Sequence, residues 1–231
     1  EVDLKQIKTL VLDEADEMLS MGFKLDINRI LKYTSGDRNT WLFSATMPEE
    51  IQKIIKTYMN INAKRVDINP AALINSNISH LVVKTSLKQK TADVIKFLDK
   101  RSSERGIIFC RTKAGARKLA EELLEDGFSV GALEGDMKQI ERDKVMRAFK
   151  NESTQYLIAT DVAARGIDVR DLNFVVHHQL PEQIDYFKHR SGRTARAGKK
   201  GVSIAFILPN ELEKIHQLQK QLGIQFTETS L

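Results

Sequence analysis

The chain has 231 residues, 42% hydrophobic and 29% charged, with a formal net charge of +5 at pH 7. That is the composition of a soluble globular protein, long enough for one large or two modest domains, and no apolar run approaches a membrane span or a signal peptide. Cys110 is the single cysteine, which excludes an intrachain disulfide, gives no cysteine metal site and fits a cytoplasmic location with no membrane partner. The charge is uneven. Residues 1–68 hold 10 Lys and Arg against 11 Asp and Glu, and residues 69–231 hold 26 against 20, so the parts carry −1 and +6. The second part is the candidate polyanion binder, although a charge of that size also serves solubility alone.

In chain order, residues 1–68 read strand, helix, strand, helix, strand. Thr9-Leu10-Val11-Leu12 is an apolar run that stops on Asp13, Glu14 and Asp16, as a buried strand of a parallel sheet does. Ligands in open α/β sheets bind at the carboxyl ends of the strands. Asp13 at such a tip can hold Mg²⁺, directly or through water, against a nucleotide's phosphates. Glu14 can orient or deprotonate a water for attack on the terminal phosphate. The same acids also suit a plain helix start, where the dipole favours them. Ile27, Ile30 and Leu31 mark one face of a helix ending near Tyr33, and Ser35-Gly36-Asp37 is a turn. Thr40-Trp41-Leu42-Phe43 reads as a second buried strand, with Trp41 and Phe43 in the core. It ends on Ser44-Ala45-Thr46. Those hydroxyls can bond carboxylates of the neighbouring strand tip, or simply cap the helix that Met47-Pro48 opens. Lys64–Ile68 reads as a short strand, and residues 69–77 as an interdomain linker.

From Ile78 the alternation restarts. Strands are predicted at 78–85, 106–110, 129–132, 155–159, 173–177 and 202–208, and helices at 88–100, 113–126, 138–150, 182–189 and 210–221. Strands alternating with helices imply right-handed βαβ units and a parallel sheet. Arg111-Thr112-Lys113 follows a strand and opens a helix, where free backbone N–H groups can bind phosphate. Cys110, just before, is a small buried hydrophobe. In Gly135-Asp136-Met137-Lys138-Gln139-Ile140-Glu141-Arg142, Gln139 and Arg142 share a helix face and can reach one RNA backbone, or lie on a solvated surface. A strand ends on Thr160-Asp161, followed by small residues and Arg165-Gly166-Ile167-Asp168. His189-Arg190-Ser191-Gly192-Arg193-Thr194-Ala195-Arg196 sets three arginines and a histidine among small neighbours. Planar guanidinium forks match phosphate oxygens, and such an arginine can stabilise a transferring phosphoryl group. His177-His178 has no third ligand at zinc spacing and reads as ordinary core-edge histidines.

Asp13-Glu14-Ala15-Asp16, Ser44-Ala45-Thr46 and the later stretches, in this order, resemble motifs II to VI of the DEAD-box ATP-dependent RNA helicases. The resemblance covers nearly the whole chain. It implies an α/β fold of RecA-like parallel sheets flanked by helices: a partial first domain over 1–68 and a complete second one over 78–231. It implies ATP and Mg²⁺ as cofactors, and single-stranded or duplex RNA as substrate, clamped between the domains and locally unwound. Asp13 would serve Mg²⁺, Glu14 the attacking water, and Arg193 and Arg196 the γ-phosphate. Asp16, Ser44, Thr46, His189 and Arg190 would couple the domains, and Gly166 and Asp168 would face the nucleotide. RNA would meet Arg111, Thr112, Gly135, Gln139, Arg142, Thr160 and Asp161. Ser191 and Ala195 stand where the family often has Ile and Gly.

No G-x-x-x-x-G-K-[ST] phosphate loop occurs in the sequence, and Glu1 is no start methionine. The expectation is an excised fragment, inactive on ATP by itself. By the resemblance, the strand bearing the phosphate loop would be missing from beside Thr40–Phe43, leaving open edges and apolar side chains in a first-domain remnant that is disordered, rearranged or completed by another chain. Two other readings remain: a non-enzymatic RNA-binding or scaffold module on the same fold, and a DNA-directed helicase of the same superfamily.

Overall fold

The computed structural model describes residues 3–67, 75–165, 167, 169, 172–196 and 198–231. The chain falls into two compact units, Glu1–Asp67 and Ile68–Leu231.

In the first unit, β1 (Thr9–Leu12) and β2 (Asn39–Leu42) pair in parallel, Leu12 opposite Leu42. Helices α1 (Ala15–Ser20), α2 (Lys24–Tyr33) and α3 (Glu49–Tyr58) cover one face, and Leu12, Ala15, Ile27, Leu31, Ile51 and Ile54 close a small core. The helical stretch ahead of Tyr33 is broken in two at Gly22, whose φ of 85° few other residues adopt without strain.

Three expectations for this unit are corrected. The Thr40–Phe43 stretch is not buried: Leu42 packs inward, while Trp41 and Phe43 are 58% and 50% exposed, as is Val11 of β1 at 54%. Successive side chains of a strand point to opposite faces, and the helices cover only one. Trp41 and Phe43 are therefore not core residues. Finally, residues 64–67 form no strand. They are exposed, with a local Arg65–Asp67 bond of 3.0 Å in place of a ladder, because the sheet among the described residues has only β1 and β2.

The second unit has β3 (Ile78–Lys84), α4 (Lys90–Asp99), β4 (Gly106–Cys110), α5 (Lys113–Glu125), β5 (Val130–Leu133), α6 (Gln139–Lys150), β6 (Tyr156–Thr160), β7 (Phe174–His177), α7 (Ile184–Ser191), β8 (Gly201–Ile207), α8 (Leu212–Leu222) and β9 (Phe226–Glu228). The strands form one parallel sheet in the order β5-β6-β4-β7-β8-β3-β9. β4 and β6 are buried at every position. Ile108 and Cys110 pack with Val94, Leu98, Leu119 and Leu123 of α4 and α5, and Ile107 and Phe109 pack with Phe149 of α6. Helices lie on both faces, which is why these runs read as continuously apolar. Burial of each such side chain stabilises the unit by about 2 kcal/mol. Gly106 is required where it stands: a Cβ there would fall 2.1 Å from the Phe174 ring.

Of the predicted linker, residues 69–74 lie outside the described residues. Its last residues pack with the second unit: Asn75 Nδ2 donates to Ala195 O, and Asn77 O accepts Gly201 N–H at 3.0 Å. His177 is a core residue rather than an edge one, with no exposure. β9 escaped prediction because three residues at a sheet edge carry almost no periodic signal. Among the described residues no helix is long and apolar enough to cross a membrane.

Candidate functional site

In the first unit the acidic tip of β1 is built by the turn into α1. Glu14 takes φ 50° and ψ 45°, a left-handed conformation costly for a side-chain-bearing residue, and such outliers gather at functional sites. Asp13 Oδ1 accepts the Glu14 amide at 2.9 Å, and Ala15 N–H donates to Phe43 O at 3.0 Å, tying the tips of β1 and β2 together. Asp13 and Glu14 are exposed. Among the described residues no group of three His, Cys, Asp or Glu could hold a metal. One exposed carboxylate does suit Mg²⁺, which keeps several waters and is held by one or two carboxylates plus substrate phosphates.

Asp16 points into the Ser44–Thr46 turn. Its Oδ2 accepts the Thr46 amide and hydroxyl, both at 2.7 Å, and its amide donates to Ser44 Oγ at 3.3 Å. Burial alone would raise the Asp16 pKa, but the Thr46 and Ser44 bonds and the Glu17 amide hold it below its ordinary value. The hydroxyls thus engage the neighbouring tip instead of capping α3, which begins after Pro48 with no side-chain cap.

In the second unit three adjacent strands end side by side, since Cys110 pairs with Thr160 and Leu133 with Ala159. Arg111-Thr112, Thr160-Asp161 and Gly135 leave the sheet from these tips. Thr112 caps α5, its hydroxyl accepting Gly115 N–H at 3.0 Å, worth about 1 kcal/mol. Gly135 lies in a loop braced by Lys113–Asp136 and Arg117–Glu134 pairs. Chiefly through its hydrogen bond, Lys113 holds the Asp136 carboxyl below the usual carboxylate range. Gln139 Nε2 donates to Asp143 Oδ1 at 2.7 Å, and Arg142 Nη2 donates to Ala163 O. Arg142 is half-buried, so it braces the turn after β6 as well as offering charge.

Two expected roles are corrected here. Arg190 is 1% exposed and directs Nε and Nη2 to the Asp161 carboxylate at 2.6 and 2.7 Å, and Nη1 to Gln179 O at 2.7 Å. A guanidinium so enclosed is committed inside its own unit rather than to coupling domains. Asp161, its carboxylate filled by that pair, is structural rather than RNA-binding. Thr160 is 6% exposed, and its hydroxyl accepts Ala163 N–H at 3.4 Å, which shapes the turn after β6.

Arg193 is half-buried and Nη1 donates to Ile167 O at 2.9 Å, while Arg196 is exposed with Nε on Gly192 O at 2.9 Å. His189 is half-buried. Gly166 and Asp168 lie outside the described residues. Cys110 is buried and its thiol is pushed up to about 12, chiefly by burial, so it is no nucleophile. The sequence reading missed Gln179, two residues beyond β7. Its only signal is a polar side chain at a strand tip.

An acidic strand tip and an arginine-bearing loop on parallel sheets flanked by helices define a RecA-like α/β protein. The family models described as "DEAD/DEAH box helicase" and "Helicase conserved C-terminal domain" match residues 1–54 and 89–198. The chain is 41% identical over 219 residues to "ATP-dependent RNA helicase CshA" of Limosilactobacillus reuteri, covering 95% of this chain and 44% of that one. "S. cerevisiae Dbp5 bound to RNA and ADP BeF3" is similar in structure, with a TM-score of 0.87 and 31% identity over 98% of this chain and 60% of that one. The C-terminal domain of the DEAD-box protein Dbp5 is 32% identical, covering 66% of this chain and 89% of that one, with a TM-score of 0.62. The chain belongs to the DEAD-box helicase family, and it spans about half the length of the curated relatives it matches.

Proposed function

We propose that the protein carrying this chain is an ATP-dependent RNA helicase that couples ATP hydrolysis to RNA clamping and local strand separation in the cytoplasm. The observation that carries this reading is the departure of Gly135 from the tip of β5 and of Arg111 and Thr112 from the tip of β4, the two strands that flank β6, in the part of the chain whose charge is +6. RNA phosphates meet Arg111, Thr112, Gln139 and Arg142 there. Asp13 holds Mg²⁺, which supplies charge neutralisation at the phosphates when bound. Glu14 positions the attacking water, and Arg193 and Arg196 meet the γ-phosphate. Gly166 and Asp168 face the nucleotide. Asp16, Ser44, Thr46 and His189 report the nucleotide state between the domains. Residues 1–68 are the rear part of the first domain, 69–77 the linker and 78–231 the second domain. The exposed Val11, Trp41 and Phe43 face of the first unit is covered by a segment from outside this sequence.

RNA affinity of the protein should fall steeply between 50 and 200 mM salt, on the order of tenfold or more for a few phosphate contacts, when labelled single-stranded RNA is titrated. Affinity that ignores salt would contradict the electrostatic contacts. RNA-stimulated ATPase of the full-length protein tests the activity. Stimulation by DNA alone points to a DNA-directed helicase, and binding without turnover to an RNA-binding module. With no phosphate loop in this sequence, the chain alone should not turn over ATP. In the full-length protein, Glu14→Gln keeps shape while removing the carboxylate that handles water. It should abolish turnover and spare ATP-dependent RNA clamping; a variant that still turns over at the wild-type rate removes Glu14 from the mechanism.

A further inference from the structure

The tip of β4 is held from both sides by residues that belong to none of its own turn. On one side, just beyond β6, lies Asp161; on the other, beyond β7, lies Gln179, and Arg190 joins the two. Its guanidinium also stands over the Phe109 ring of β4, 5.1 Å from the centroid. The β4–β7 ladder runs as far as His178 N–H to Phe109 O at 3.0 Å. The next donor, the Arg111 N–H just beyond β4, would take the His178 backbone carbonyl if the parallel ladder continued. It takes the side chain of Gln179 instead, Oε1 at 2.9 Å. Gln179 therefore ends the ladder and sets the direction in which Arg111 and Thr112 leave the sheet.

We infer that Gln179 is a positioning residue for RNA binding, an inference that rests on the RNA site proposed above. It need not touch RNA. Its backbone carbonyl is pinned by buried Arg190, so the side chain has a fixed origin from which to hold the Arg111 amide. Arg111 then presents its guanidinium, 4.0 Å from Glu182, on the exposed side of the tip. Thr112, one residue on, accepts from Gly115 N–H and keeps its own hydroxyl proton to give to a phosphate oxygen. Because Arg111 is exposed, water can replace the lost acceptor when Gln179 is truncated. Folding then changes little, while the direction of the two side chains is no longer fixed.

The test compares Gln179→Leu, which removes the acceptor and leaves the backbone carbonyl to Arg190, with Gln179→Glu, which keeps an acceptor oxygen. In the full-length protein the Leu variant should raise the RNA KM of the ATPase roughly tenfold. The ATP KM and the rate at saturating RNA should stay within about twofold of wild type, as should the RNA KM of the Glu variant. Hydrogen exchange at the Arg111 amide should quicken in the Leu variant and not in the Glu variant. A Leu variant with wild-type RNA KM, a parallel rise in ATP KM, or a Glu variant that does not rescue would each overturn the role. If the wild-type ATPase ignores RNA, the helicase reading and this inference fall together. If it responds and the Leu variant matches it, the inference falls alone.

Discussion

Replacing Arg193 by alanine in the full-length protein should lower RNA-stimulated ATP turnover by about a thousandfold or more, the usual loss for an arginine that meets a transferring phosphoryl group. The three arginines of the 189–196 stretch are not equivalent. Arg190 is sealed in by Asp161, and Arg196 is exposed, held by one bond to Gly192 O. Arg193 lies between these extremes: Nη1 rests on Ile167 O, which fixes the plane of a half-buried fork. A guanidinium oriented before the reaction costs no reorganisation as charge develops. Arg193→Lys should therefore rescue poorly, because an ammonium cannot keep the Ile167 bond and the fork geometry together. The measurement is turnover at saturating ATP and RNA, with RNA affinity read alongside. Turnover near wild type in Arg193→Ala would take the residue out of phosphoryl transfer.

Acid should strip stability from the second unit well before its carboxylates titrate. Burial pushes His80 down to about 4 and, with a smaller push from the Lys90 charge, His178 to about 4. His177 is driven well below its ordinary value by burial, then by the charges of Arg190 and His80. His177 is wedged against Phe187, ring centroids 4.4 Å apart, with Nε2 3.0 Å from Ser203 Oγ. In the unfolded chain the same histidines titrate near 6.5. Below that pH the unfolded chain takes protons that the folded one refuses, so stability is complete above 6.5 and is lost as pH falls towards 4. The loss at pH 5 is about 2 kcal/mol for each of His80 and His178, with a further loss from His177, against a typical total of about 5–15 kcal/mol. Urea unfolding at pH 7.5, 6.5 and 5.0 checks this: the first two should nearly agree and the third collapse. His80→Phe, which packs against Phe187 and Phe226, should recover roughly a third of the loss. A midpoint unchanged down to pH 5 would contradict the burial of neutral rings.

The parallel sheet of the second unit was legible because β4 and β6 are buried on both faces, and Gly-Ile-Ile-Phe-Cys and Tyr-Leu-Ile-Ala-Thr say so residue by residue. The Thr40–Phe43 run has the same apolar look and a different fate. Whether Trp41 is covered depends on what lies across the sheet, and a strand's own letters do not record it. The Asp16–Thr46 contact was foreseeable, since both residues follow strands that pair directly. Arg190 was not. Its neighbours in sequence are polar and small, and its partner Asp161 stands 29 positions away. Only the packing of Phe187, Arg190 and Ser191 on one face of α7 turns that arginine inward. Ala195 is similar: its φ of 56° is one that residues other than glycine rarely adopt, and nothing in the chain's own letters announces that turn.

The buried Arg190–Asp161 pair also limits the routes by which the protein can change. Losing either partner leaves the other charge stranded in the interior, at about 3–5 kcal/mol, whereas replacing both together can be nearly neutral. Single steps from this pair are therefore costly even where the double step is open, and the two positions are expected to change together. Arg111, Thr112 and Gln139 are exposed and carry no such debt. If the proposed RNA site holds, divergence in which RNA is gripped should accumulate at those three, while Arg190 stays the same.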